Sequence, residues 1–488
     1  MREYDLVVVG GGPAGTPVIV EFAKLFPEKK IAMIDKKGEL GGECLFDGCI
    51  PSKIMQMSAK LIRELDTLKS FGIELSDTHY RLVWEKIVQR KERILAHRAD
   101  AAIKNIEQLQ NVEILKAEAS FIDEHKLLVR YENDKTEQIN FEKCVVATGS
   151  NAFIPKYEGS GAEKVWTNED FFDTMELPES MSIIGDGAIA IEFAQILATL
   201  GVTINLLSKH AGILKHVERD FSNIVLKEIE QHPNINLYLK ADVKTINYEN
   251  DFEIIFMQDS EEKRCHSQRV LVATGRVANI EGLKLENAGV AFSKKGIQVD
   301  KHLVTTAKNI YANGDVADGF PKFAHTAMYG AHTIAQNLFV GHNLFSVDYS
   351  KNSWVLFSSP NIASAGISEL EAQKAGLDVV IGVYDYAIDA KFQIENDNLG
   401  YLKFIVEKSS KKIIGISILL DEANAIIGEG ATIVANGLTL SDLVATIHPH
   451  PTFSESFGFL AKQMMGEIMV EKLKNPVVNT LLEIERFL

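Results

Sequence analysis

An internal repeat constrains this chain more than any other feature. An apolar run over residues 6–9 leads into Gly10-Gly11-Gly12-Pro13-Ala14-Gly15, and a second over 182–184 leads into Gly185-Asp186-Gly187-Ala188-Ile189-Ala190. Each copy reads as a strand, a tight glycine-rich turn and a helix. Each is followed by a strand-like run closing on Ala-Thr-Gly, at residues 147–149 and 273–275. The stretch from Gly10 to Ala147 exceeds that from Gly185 to Ala273 by about 49 residues, and the two closely spaced cysteines, Cys44 and Cys49, fall inside the longer copy. One unit has been duplicated, and one copy carries an insertion.

The glycine spacing has a chemical meaning. In Gly10-x-Gly12-x-x-Gly15 the first glycine permits the turn, the second lets backbone approach a pyrophosphate, and the third lets helix pack on strand. The helix N-terminus, opened by Pro13 and Ala14, then offers free N–H groups and the positive end of a dipole to phosphates. Asp35 closes the next strand, 20 residues past Gly15, where a carboxylate can accept hydrogen bonds from ribose hydroxyls. A glycine-rich turn alone is also a structural device, so the reading rests on strand, turn, helix and acid together. The second copy has Gly185, Gly187 and, at the third position, Ala190. Two dinucleotide sites in one chain imply two cofactors, and a flavin facing a nicotinamide is the simplest use of such a pair.

With 488 residues the chain is too long for one core, and about three domains are expected. The expected architecture is α/β: two Rossmann-like domains, for FAD and NAD(P), plus a C-terminal α+β dimerisation domain. The FAD domain is expected over 1–150 and 277–348, the NAD(P) domain over 151–276, and the dimerisation domain, with a helical tail, over 349–488. A net charge of −16 makes nucleic acid and anionic membranes poor partners. No run of about 18 apolar residues suggests a membrane span. The apolar N-terminal run is too short for a signal peptide and suits a buried parallel strand. A cytoplasmic protein is expected.

Cys44 and Cys49 sit in Gly41-Gly42-Glu43-Cys44-Leu45-Phe46-Asp47-Gly48-Cys49-Ile50-Pro51-Ser52-Lys53. A zinc site would need a second ligand pair downstream; none exists, so no metal is expected. Two unconnected thiols or a redox pair remain. Residues five apart in an ideal helix are separated by about 7.5 Å along the axis, whereas a disulfide needs Cα atoms within roughly 4.4–6.8 Å. The segment must bend to close a bond, Gly48 allows it, and a bond closed this way is readily reduced. Cys144 and Cys265 lie in strand-like surroundings and read as buried, incidental thiols.

The cysteine segment resembles the redox motif of the class I pyridine nucleotide–disulfide oxidoreductases, commonly GGTCxNxGCxPSK. The resemblance takes in both glycine turns, both Ala-Thr-Gly strands, the Gly314-Asp315 turn and a C-terminal histidine motif, and within the family it is closest to the dihydrolipoamide dehydrogenases. It implies that Cys44 is the interchange thiol and that Cys49 faces the flavin. Lys53 would sit near the flavin's reactive nitrogen, paired with Glu192, since a buried lysine needs a partner. Asp315 would bind the ribityl chain, Thr148 and Gly149 would line the FAD site, and Ala324 with His325 would open a helix toward the flavin ring. Gly275 would line the nicotinamide nucleotide site. The chain departs from the family at Glu43 and Asp47, two carboxylates that disfavour a thiolate unless a helix dipole and a cation offset them.

His450-Pro451-Thr452-x-x-Glu455 matches the family's base and its orienting acid; His448 reads as structural. In the family this base reaches the cysteines of the other subunit, which implies an obligatory homodimer. Residues 456–488 read as an extension, with Val477, Val478, Leu481, Leu482 and Leu488 forming an apolar stripe for extra dimer packing or for docking. The implied electron flow runs from dihydrolipoamide or a similar dithiol, free or on a lipoyl-bearing protein, through Cys44–Cys49 and FAD to NAD(P). NADPH-driven reduction of a glutathione-like disulfide is the alternative within the family. A non-catalytic flavoprotein subunit is the alternative outside it, and the intact cysteines, Lys53 and His450 argue against that. Mercuric reductases and thioredoxin reductase-like relays need a C-terminal cysteine pair that is absent here. Where dihydrolipoamide dehydrogenases usually carry a glutamate against the 2′-phosphate of NADP, this chain has Ser208, then Lys209 and, nearby, Lys215. That pattern leans toward NADP, with lysines in place of the bidentate arginine fork.

Overall fold

The computed structural model describes residues 2–76, 80–174, 177–395 and 399–474. The apolar stripe from Val477 to Leu488 lies outside them. The chain separates into two compact units, one of residues 1–212 with 230–349, the other of 213–229 with 350–488.

In the first unit, β1 (Arg2–Val9), α1 (Thr16–Leu25) and β2 (Ile31–Asp35) form a parallel β-α-β start. The insertion follows as α2 (Gly42–Phe46), α3 (Cys49–Thr67) and α4 (Trp84–Glu107). Three long strands, β3 (Val112–Asp123), β4 (Lys126–Tyr131) and β5 (Thr136–Val146), make an antiparallel meander. The start of β3 pairs in parallel with β2, and β5 pairs in parallel with β1, so the parallel layer and the meander are continuous. Leu6 and Val8 pack with Val18, Ile19 and Phe22 on one face of β1, while Val7 and Val9 pack with Leu115, Phe121 and Leu127 on the other. Both faces are buried, which is why this strand is an unbroken apolar run.

After β6 (Ser150–Ala152) and α5 (Asn168–Asp173) the plan recurs. β7 (Ser180–Ile184), α6 (Ala188–Thr199), β8 (Thr203–Leu207) and β9 (Ile235–Tyr238) follow, the three strands pairing in parallel, with α7 (Arg219–Gln231) in the chain between β8 and β9. β10 (Asp242–Tyr248), β11 (Phe252–Gln258) and β12 (Glu261–Ser267) form the second meander, and β13 (Arg269–Val272) returns beside β7. β14 (Arg276–Ala278) then pairs antiparallel with β6, so the two segments that join the repeats lie side by side. A short pair, β15 (Phe292–Ser293) and β16 (Gly296–Ile297), precedes β17 (Ile310–Ala312), which adds to the first sheet beside β5, and α8 (Ala324–Val340) covers that sheet.

The second unit holds a five-stranded antiparallel sheet of β18 (Ser353–Leu356), β19 (Ile362–Gly366), β20 (Val379–Asp385), β21 (Tyr401–Glu407) and β22 (Ile413–Leu419), in the order β18-β19-β22-β21-β20. With α9 (Glu369–Lys374), α10 (Ala390–Ile394), α11 (Ala423–Ala435), α12 (Leu440–Ala445) and α13 (Glu455–Leu473) it forms the expected α+β domain around Phe404, Ile416, Phe457 and Leu460. Most of α7 groups here rather than with residues 151–276. The cause is Lys403, almost wholly buried, whose ammonium lies 2.8 Å from Asp220, 3.0 Å from Glu369 and 3.7 Å from Glu218, above the ring of Phe221. A buried cation needs such company, and α7 and the turn before it supply much of it.

Candidate functional site

The insertion is anchored on the first glycine turn. Gly41 N–H donates to Gly11 O at 2.9 Å, and a Cβ on Gly42 would lie 2.8 Å from the Cα of Gly12. Gly41 and Gly42 have φ of 118° and 55°, so glycine is needed for both the turn and the close approach. The chain then breaks between α2 and α3 at Asp47 and Gly48. That break leaves Cys44 inside the short helix and makes Cys49 the first residue of a 19-residue one.

Both cysteines are free thiols, and each acts on the other's ionisation. The Cys44 thiol is pushed well up, by Cys49 and by burial. Cys49 is lowered to about 7, first by the Cys44 thiol and then by Lys53, against burial and Glu192. Its place at a helix N-terminus acts in the same direction. Lys53 Nζ lies 2.5 Å from Glu192 Oε2, joining the redox helix to α6 of the second repeat.

The two unexpected carboxylates are both engaged. Arg276 grips both oxygens of Glu43, through Nη1 at 2.7 Å and through Nη2. Asn168 Nδ2 donates to Glu43 at 2.9 Å and to Asp47 O at 2.6 Å. Asp47 is paired with Lys37 at 3.1 Å. Arg276 also donates to the hydroxyl and carbonyl of Ser150, whose hydroxyl donates to Asp315 at 2.6 Å. Sequence reading missed Arg276, Asn168 and Ser150. The one available signal was that Ser150 and Arg276 directly follow the two Ala-Thr-Gly runs.

Both turns have the shape a dinucleotide requires. A Cβ on Gly10 or Gly185 would fall 2.2 or 2.4 Å from the carbonyl oxygen of Ala147 or Ala273, and one on Gly15 would fall 2.1 Å from Gly10 O. Gly187, Gly149 and Gly275 instead face open space, with nothing within 4 Å of an added Cβ. Backbone can therefore approach a ligand there, beside the first turn of α6; at α1 the Thr16 amide is bonded to Gly12 O and Pro17 carries none. The residues fit FAD and NAD(P). Asp35 accepts from Gly11 N–H at 2.9 Å and from the amides of Lys37 and Gly38. Thr148 donates its hydroxyl to Asn279 O, and Ala324 is the first residue of α8. Asn313, fully buried, ties Ala14 O to Ala327 O and so fixes the first turn to α8.

The nicotinamide-side residues are less open than sequence reading supposed. Ser208 is fully buried, its hydroxyl 3.0 Å from Asp186 and 3.1 Å from the carbonyls of His210 and Gly212. His210 Nδ1 also meets Asp186, at 2.6 Å. Lys209 is exposed and paired with Asp242 at 3.2 Å, and Lys215 lies in the segment grouped with the second unit.

In the second unit His450 Nδ1 faces both oxygens of Glu455, at 2.9 and 3.0 Å, with the histidine exposed and the glutamate buried. His448 is bound to Glu429 at 2.7 Å. Among the described residues no cluster of histidine, cysteine and acidic groups could hold a metal, and no helix is long and apolar enough to cross a membrane.

Residues 4–331 match the family model for pyridine nucleotide-disulphide oxidoreductase, and residues 352–461 match the dimerisation domain of the same family. The dihydrolipoyl dehydrogenase of Buchnera aphidicola subsp. Schizaphis graminum is 31% identical over 484 residues, 98% of this chain and 99% of that protein. A Bacillus subtilis dihydrolipoyl dehydrogenase is 29% identical, over 92% of this chain and 96% of its own. Among solved structures, the Cu(II) complex of the HOCl-induced flavoprotein disulfide reductase RclA from Escherichia coli superposes with a TM-score of 0.82 at 26% identity, covering 95% of this chain and all of that one.

Proposed function

The chain belongs to the pyridine nucleotide-disulphide oxidoreductase family, and from that membership and the geometry above we propose that Cys44 and Cys49 are its redox pair. It is an FAD- and NAD(P)-dependent disulfide oxidoreductase of the dihydrolipoyl dehydrogenase kind, and its dimerisation domain supports a homodimer. The substrate we infer is dihydrolipoamide or a similar dithiol, free or carried on a lipoyl-bearing protein. A catalytic thiol pair that must cycle suits the cytoplasm.

One observation carries the reading: Cys49, the more acidic thiol, opens α3 beside the Lys53–Glu192 pair, with Cys44 in the short helix just before it. The chemistry follows. His450 of the partner subunit, oriented by Glu455, takes the proton of a substrate thiol. The resulting thiolate attacks Cys44 Sγ, a substrate–Cys44 bond forms, and the Cys44–Cys49 bond breaks with Cys49 leaving as thiolate. The second substrate thiol loses its proton and attacks the substrate sulfur bound to Cys44. That closes the substrate disulfide and releases Cys44. The dithiol has lost two electrons and two protons, and the cysteine pair has gained the electrons. Lys53 holds the Cys49 thiolate charged. FAD, when bound at the first turn by Gly10, Gly12, Gly15, Asp35 and Asp315, supplies the two-electron carrier between this pair and the nicotinamide held at Gly185, Gly187 and Ala190.

Steady-state turnover with dihydrolipoamide and NAD(P)+, set against turnover with glutathione disulfide and NAD(P)H, tests the proposal. The lipoamide reaction should dominate. In mixed dimers of Cys44→Ser and His450→Ala chains, one competent site of two should recover. Dominant glutathione reduction, or no recovery after verified subunit exchange, would contradict the substrate or the shared site respectively.

A further inference from the structure

We propose that the Glu43–Arg276 pair is a positioning and charge-balancing device for the interchange thiol, one that lets this chain carry a carboxylate immediately beside Cys44. The inference rests on the reading of Cys44 and Cys49 as the redox pair.

A carboxylate adjacent in sequence to a thiol opposes its ionisation. Cys44 must nevertheless become a thiolate, or leave as one, in every cycle. Arg276 meets Glu43 with two parallel N–H donors, the geometry in which guanidinium and carboxylate bind best. Both side chains are largely buried, at 18% and 28% exposed, so solvent screens the pair little. Arg276 stands at the start of β14 and Ser150 at the start of β6, the two strands that join the repeats. The redox segment is thus referenced to the joint of both nucleotide-binding halves, and through Ser150 to Asp315. Asn168 completes the grip by holding Glu43 and the end of α2 together.

Negative charge is crowded around this segment. Asp47 is held by Lys37, and Lys53 with Glu192 faces Cys49. Glu169, whose ionisation is disfavoured by burial and by Glu43 and Asp47, has its charge eased by Lys37 and Arg276. Removing Arg276 would leave Glu43 with only the neutral donor Asn168 against its charge, and removing the Glu43 charge would leave Arg276 with only the more distant Asp315, 3.8 Å from Nε, to offset its own. A purely structural contact gives losses of one sign. A charge balance gives shifts of opposite sign that cancel.

The test is the iodoacetamide alkylation rate of Cys44 in the reduced holoenzyme at neutral pH, located by peptide mass, together with the midpoint potential of the cysteine pair. Glu43→Gln should alkylate about tenfold faster and Arg276→Gln about tenfold slower, the scale of one thiol pKa unit. The potentials should move up and down respectively. Arg276→Lys, which keeps the charge but not the two-pronged grip, should fall between wild type and Arg276→Gln, and the double variant Glu43→Gln/Arg276→Gln should return to within about threefold of wild type, the charges having left together. If the arginine variants do not fold, Asn168→Asp, which adds a carboxylate beside Glu43, should slow alkylation as Arg276→Gln would. Same-sign shifts in both single variants, or a double variant no closer to wild type than the worse single, overturn the proposal. Absence of Cys44-dependent turnover in the wild type would instead overturn the reading of the redox pair, and the alkylation rates would still judge the charge balance.

Discussion

The two nucleotide-binding repeats share a scaffold and differ in what is laid over it. Each has a β-α-β start, an antiparallel meander and a return to an Ala-Thr-Gly turn, and in each the first glycine is pressed against that turn's alanine carbonyl. The first turn is then closed over by its own insertion, with Gly41 bonded to Gly11 and Gly42 packed on Gly12. The second is open, with no atom within 4 Å of a Cβ on Gly187. A turn locked by a neighbouring helix suits a cofactor that stays, and an open one suits a cofactor that comes and goes. Duplication supplied the glycine-turn geometry twice, and the insertion covers only the first copy.

The largest expected effect breaks the first copy's insertion. Cys44→Ser and Cys49→Ser should each lower turnover by about a thousandfold or more, as loss of a covalent participant does. Turnover within tenfold of wild type in either variant would remove the insertion from the chemistry. Next comes the contrast between the turns. Gly10→Ala, at φ 114° and against a carbonyl, should destabilise the protein by about 2–4 kcal/mol and release flavin. Gly187→Ala should keep flavin and raise KM for the nicotinamide nucleotide. Equal flavin loss in both, read from absorbance after gel filtration, would erase the distinction.

A smaller effect sharpens the link between copies at Lys53–Glu192. The Cys49 thiolate of the reduced enzyme should appear as pH rises through about 7. Lys53 lowers this midpoint and Glu192 raises it, so Lys53→Met should shift the titration to higher pH and Glu192→Gln to lower pH. Unchanged midpoints would mean that α6 does not tune the redox helix. The smallest effect concerns nucleotide choice. Lys209 is exposed and its pairing with Asp242 is a surface one, so Lys209→Ala should lower the ratio of kcat/KM for NADPH over NADH by only about threefold, the scale of one exposed ion pair. A drop of a hundredfold would make Lys209 the main reader of the phosphate.

What sequence alone revealed was what sequence keeps local. The glycine spacings, the cysteine pair and the His450–Glu455 pair, five residues apart and 2.9 Å together, are each contained in one short segment. Lys53–Glu192 was legible only because a family resemblance placed both residues. Glu43–Arg276 was not: Glu43 stood out beside the cysteine, but nothing local pointed to Arg276, 233 residues away. Ser208 was read, from the resemblance, as standing where related enzymes carry a glutamate against the 2′-phosphate of NADP. Asp186, an atypical residue within the turn, draws its hydroxyl inward instead. The grouping of α7 with the C-terminal sheet was equally hidden, because it depends on Lys403, a buried cation far along the chain.

We propose that Cys44 and Cys49 form the disulfide through which electrons leave the dithiol. This is tested most directly by differential alkylation of anaerobic holoenzyme before and after one equivalent of dihydrolipoamide, with labels placed by peptide mass. Neither cysteine should be labelled in the oxidised enzyme, and both should be labelled after the addition. The buried Cys144 and Cys265 should stay unlabelled throughout. NAD(P)+ reduction proceeding with no new label on Cys44 or Cys49 would contradict the account.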